Sequence, residues 1–132
     1  MSQENVEAVR AIYERFSEGD FRASVDLFDR HVLYLMMPDA PEAEDYVGVE
    51  AVATATRRLF ETWADLTMDA EELIATGDTV LVSVRQRGVA RISGVPTEAH
   101  YFTLWSFRGR KVIRIENFPE RAQALEAAGL SE

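Results

Sequence analysis

The sequence contains no cysteine, which excludes disulfides, thiolate metal sites and a cysteine nucleophile. That absence fits a reducing compartment, so a cytoplasmic location is expected. No apolar run approaches the roughly 18 residues a membrane span needs, and Met1 to Asn5 show no basic region followed by an apolar stretch. The chain is therefore expected to be neither membrane-embedded nor exported by a standard signal. Positive charge is scarce: 14 Lys and Arg against 23 Asp and Glu leave a net charge of −9. Such a surface repels phosphate backbones and anionic bilayers, so neither nucleic acid nor membrane is expected as a partner. The basic groups at Arg57-Arg58, Arg85 to Arg91 and Arg108 to Lys111 have apolar or acidic neighbours and read as solvated surface.

Chemistry-bearing patterns are few. The two histidines, His31 and His100, are far apart and lack carboxylates at ligand spacing, so no metal is implied. The acidic stretch Asp39 to Asp45 lacks the alternating oxygen ligands and turn glycine of a calcium loop and reads as a solvated lid. There is no Gly-x-Ser-x-Gly elbow, and the seven glycines are scattered over turns, so no nucleotide or other cofactor is expected.

What is present suffices for one core: 132 residues, 47% of them hydrophobic, are expected to form a single domain over 1–132. Val6, Val9, Ile12, Tyr13 and Phe16 fall at helical spacing, predicting a first helix over 3–17. Gly19 suits its end, and Asp20 can cap a second helix through Phe21, Val25 and Phe28. The apolar run His31 to Met37 predicts a strand, and 38–46 an acidic loop. Val49, Val52, Leu59, Phe60 and Trp63 restore helical spacing, for a third helix ending near Asp65. Strands are predicted over 66–75, 79–90, 97–107 and 112–118, parted by glycine-bearing turns that make neighbours antiparallel. Pro119 and Gly129 bound a short last helix, with Pro119 as its first residue. Helices clustered ahead of a run of strands indicate an α+β fold with the helices on one face of a single sheet.

This order, with Glu18-Gly19-Asp20, Tyr46-Val47-Gly48 and the terminal segment Ala124-Leu125-Glu126-Ala127-Ala128-Gly129-Leu130, resembles the SnoaL-like branch of the nuclear-transport-factor-2-like superfamily, which also holds ketosteroid isomerases and polyketide cyclases. The resemblance implies a cone of helices on a strongly curved, mainly antiparallel sheet enclosing a pocket, frequently as a homodimer. It places Met36 where a ketosteroid isomerase has its carboxylate base and Thr103 where isomerases and cyclases have an acidic residue. Neither side chain can do that work, since a thioether accepts no proton and a hydroxyl is no tuned acid. Tyr13 lies one residue from the isomerase's helix-one tyrosine, roughly 100 degrees around the helix.

If Met36 and Thr103 face the pocket, the two-residue strand period brings Tyr34, Tyr101 and Trp105 to the same side. The comparison also turns Val80, Val82, Val84 and Gln86 inward, together with Ile113, Ile115 and Asn117. The candidate ligand contacts are thus Tyr13, Tyr34, Met36, Trp63, Val84, Gln86, Tyr101, Thr103, Ile115 and Asn117. Core filling is the plainer role for Trp63, Trp105 and Phe102, and steadying the entry to the last helix is the plainer role for Asn117. His100 falls on the outer face, where Leu81, Ser83, Arg85, Arg87, Phe102, Leu104 and Ser106 would suit a dimer contact.

The expected function is binding of a small, largely apolar organic molecule. One alternative is an isomerase, cyclase, dehydratase or hydrolase with a non-standard acid–base set, for which Glu14 or Glu50 would have to turn inward. Another is a protein-interaction module working through the sheet face, and a third is catalysis by His100 with Glu98, which would need a bulge to flip that strand.

Overall fold

A computed structural model describes residues 2–18, 20, 25–35 and 45–130. Helix α1 (Ser2–Ser17) buries Val9, Ile12 and Tyr13, the stripe that its spacing predicts. Of the expected second helix, Gly19 and 21–24 lie outside the described residues, and Val25–Leu27 forms a single 3-10 turn. Phe28 does not continue a helix but opens strand β1 (Phe28–Leu35), where it pairs with Val112 and is 8% exposed. Sheet pairing here prevails over a local spacing that a helix would share.

The expected loop up to 46 is corrected at its end. Strand β2 (Asp45–Val47) pairs antiparallel with β1, setting Tyr46 opposite Tyr34. Gly48 then turns the chain with a φ of 95°, which side-chain-bearing residues rarely adopt, and its N–H donates to the Val32 carbonyl at 2.7 Å. Helix α2 (Val49–Thr62) follows and stops short of Asp65, because Trp63 is already extended and paired with Ala90. Strand β3 (Trp63–Thr76) carries a bulge between Ala64 and Thr67, within which Asp65 takes a φ of 52°. Strands β4 (Thr79–Ala90), β5 (Pro96–Arg108) and β6 (Lys111–Phe118) lie close to their predicted bounds, and the hairpins are antiparallel.

The sheet is six-stranded, in the order β2-β1-β6-β5-β4-β3, and open rather than closed into a barrel. One pairing is parallel: β1 lies beside β6, with Tyr34 opposite Ile115. A register shift between Ser106 and Phe107 inserts an extra residue into β6, so Val112 rather than the expected Ile113 reaches the core, at 0% exposed.

Helices occupy both faces, not one. The core of α1, α2 and the inner face contains Val80, Val82, Val84 and Trp105. Helix α3 (Arg121–Ala127) instead sets Ala124 and Leu125 on Leu81 and Leu104 of the opposite face. Pro119 precedes the N-cap residue Glu120 rather than opening the helix, and Gly129 ends it with a φ of 79°. The fold is α+β. No helix among the described residues is long and apolar enough to cross a membrane.

Candidate functional site

A cavity of about 190 Å³ lies between the helices and the inner sheet face. Tyr13 and Phe16 close it from α1, and Val52, Ala55, Thr56, Arg58, Leu59 and Thr62 from α2. Those α2 positions recur at three- and four-residue steps, so they share one side of the helix. Most of them are small or unbranched, and opposite the large rings of the sheet they leave space unfilled. The sheet contributes Phe28, Tyr34 and Tyr46 from β1 and β2, Met68 from β3 at the far edge, and Tyr101, Thr103, Trp105, Ile115 and Asn117 from β5 and β6 between them.

Strand register explains the β5 and β6 group. Asn117 lies opposite Thr103, Ile115 opposite Trp105, and Tyr101 opposite Val84, all pointing to one face. Their polar atoms are tied together. Thr103 Oγ1 donates to Asn117 Oδ1 at 2.7 Å, and Asn117 Nδ2 donates to the Leu35 carbonyl at 3.2 Å, so one amide clamps β6 to both of its neighbours. Trp105 Nε1 donates to the Tyr13 hydroxyl at 3.1 Å, linking β5 to α1, and the two rings meet edge to face at 5.7 Å. Tyr101 donates its hydroxyl proton to Gln86 Oε1 at 2.8 Å. Thr56 and Thr62 turn theirs back on the carbonyls of Val52 and Arg58.

The electrostatics follow from this burial. Loss of water raises the pKa of Tyr13, with the hydrogen bond from Trp105 and the nearby Thr103 hydroxyl opposing the rise. Burial also raises Tyr34, against the pull of the Asn117 amide, and raises Tyr101, where the neighbouring phenols Tyr13 and Tyr34 add to the effect. These phenols are hydrogen-bond donors at neutral pH and poor general bases. Among the described lining residues there is no Asp, Glu or His, and the single charged side chain is Arg58.

Of the residues singled out from the sequence, Tyr13, Tyr34, Tyr101, Thr103, Ile115 and Asn117 line the cavity. Met36 lies outside the described residues. Val84 is fully buried in the core behind the wall, Trp63 packs against that core, and Gln86 serves as the acceptor for Tyr101. Asn117 does not steady the entry to α3; it bonds across the sheet. Glu14 and Glu50 are exposed and do not line the cavity. His100 is on the outer face, its Nε2 at 3.0 Å from Ser83 Oγ and 3.4 Å from Glu71 Oε1. The same nitrogen serves both contacts, so it cannot relay a proton from the serine to the carboxylate. The α2 wall and Tyr46 escaped sequence reasoning, although the Ala and Thr residues interleaved with the α2 stripe were a usable signal.

A comparison with curated proteins gives no match. Solved structures share the fold. A protein of ketosteroid isomerase-like fold from Catenulispora acidiphila, in complex with trimethylamine, superposes with a TM-score of 0.76 at 18% identity, covering 94% of this chain and 93% of that one. An NTF2-like protein from Burkholderia thailandensis gives 0.79 at 24% identity, with 95% of each chain covered. A candidate SnoaL-like polyketide cyclase from Jannaschia gives 0.78 at 20% identity, covering 89% of this chain and 85% of that one. Such identities establish architecture and leave chemistry to the site. The family model described as "SnoaL-like domain" matches residues 9–115, which run from the first buried turn of α1 to Ile115 in the cavity wall, and by that match the chain belongs to the SnoaL-like family.

Proposed function

We propose that this is a cytoplasmic protein whose cavity binds a small, largely apolar organic molecule, without proton-transfer chemistry by the lining residues described above. The observation that carries this reading is the cavity itself: about 190 Å³, walled by aromatic rings, with a few oriented hydroxyl and amide groups. An apolar cavity of roughly 150 Å³ accommodates benzene, so the space here suits one ring with a substituent better than a fused four-ring skeleton. The trimethylamine held by the Catenulispora protein is of that small size class and supports the reading by analogy.

A thermal-shift screen of single-ring acids, amides, amines and lactones tests it, with Ala55→Phe as the variant that fills the cavity from α2. At about a hundred times the dissociation constant a ligand adds roughly 2.7 kcal/mol, a readable shift. A shift in the native protein that disappears in Ala55→Phe is the expected result, provided that variant melts cooperatively. Shifts that survive the filled cavity, or none at all across the screen, would remove the proposal.

As part of the same reading, a homodimer forms through the outer face of β4 and β5 beside α3. His100 stacks on Phe102 there at 5.5 Å, giving a partly apolar patch. Light scattering that returns the mass of a single 14.9 kDa chain would rule the dimer out.

A further inference from the structure

The charged inventory of the cavity is lopsided. Arg58 is the one ionised group among the described lining residues, and it makes no ion pair with any described residue. Its neighbour Arg57 behaves differently, meeting Glu61 at 3.5 Å on the solvent side of the same helix. Arg58 stands three residues after Ala55 and four before Thr62, both lining residues, and is itself exposed, so it occupies the rim of the α2 wall. A guanidinium presents a planar fork of donors that matches a carboxylate in two parallel hydrogen bonds, and it does so most strongly where an apolar wall excludes water from one side.

We infer that the ligand is a single-ring organic acid, its ring among the aromatic side chains and its carboxylate held by Arg58 at the cavity mouth. This rests on the pocket-binding reading above and adds the ligand's charge. Two opposing effects are weaker. The net charge of −9 disfavours anions at long range, but exposed charges are screened beyond about 8 Å at physiological salt, whereas Arg58 would be in contact. Aromatic rings also attract cations, yet a cationic ligand would have to sit beside Arg58 with no described carboxylate in the wall to balance it.

The test is calorimetric titration with three probes sharing one ring: phenylacetate, phenylacetamide and phenethylammonium. The native protein is compared with Arg58→Gln and with Arg57→Gln, which removes the same charge one residue away. Phenylacetate is expected to bind at least tenfold more tightly than phenylacetamide, an advantage that Arg58→Gln abolishes and Arg57→Gln retains. Equal binding of acid and amide, tightest binding of the ammonium probe, or an equal loss in both variants would overturn the charge assignment while leaving the pocket reading intact. If none of the three probes binds, the pocket reading fails for this size class and the inference falls with it.

Discussion

At the scale of single residues, the site depends on polar groups that have no water to fall back on. Thr103→Val keeps the shape but removes the donor that satisfies Asn117 Oδ1. A buried acceptor left unpaired costs about 1–3 kcal/mol, which urea unfolding should show as a lower midpoint with an unchanged slope. The buried phenols set the alkaline limit. Their folded pKa values lie above 10.0, the value free phenols keep in the unfolded chain. Above pH 10 the folded state therefore holds protons that the unfolded state has released, so stability is fully present below pH 10 and falls as pH rises through the folded values. Urea midpoints should decline from about pH 10 upward, and less steeply in Tyr13→Phe, which has one such phenol fewer. This level of detail was only half legible beforehand. The family resemblance turned Thr103, Ile115 and Asn117 inward, and the two-residue strand period added Tyr34 and Tyr101, because alternation is local. That Trp105 would find Tyr13, 92 positions away, depends on how α1 is laid across the sheet, and no spacing encodes that.

At the scale of elements, the long regular pieces could be read directly and the junctions could not. The stripe of α1 and the glycine turns between β3 and β6 are short-range signals, and the structure follows them. The helical positions expected for Phe28 and after Thr62 were lost to β1 and β3, since partners distant in sequence claimed Phe28 and Trp63. Helix α3 was placed correctly along the chain but on the wrong face, because a seven-residue amphipathic segment does not state which side of a sheet it will cover. That placement is testable. Leu125 is 5% exposed against Leu81 and Leu104, so Leu125→Ala should cost about 2–5 kcal/mol in chemical denaturation, whereas a helix lying loose on the surface would lose little. The bulge at the start of β3 gives a second test. Asp65 tolerates its positive φ as a short polar residue does, and Asp65→Val should cost about 1–2 kcal/mol at a site that is exposed and makes no core contact. A Val variant as stable as the native protein would mean that the bulge relaxes.

At the scale of the whole molecule, family membership and architecture agree, and the described cavity wall offers no carboxylate or imidazole. Chemistry therefore has to be argued from the cavity as it stands: aromatic, small and, among the described residues, edged by one cation. The parallel pairing of β1 with β6 has a consequence for the order of events in biosynthesis. Tyr34 and Ile115, cross-strand partners in the cavity wall, are separated by nearly the full run of helices and hairpins between them. While the ribosome is still extruding β5, β1 has no neighbour except β2, and hairpins from β3 to β5 can close without it. A nascent chain stalled before Lys111 should show protease-resistant hairpins but leave Phe28–Leu35 open to cleavage, and release of the last strand should close the cavity in the same step that completes the sheet.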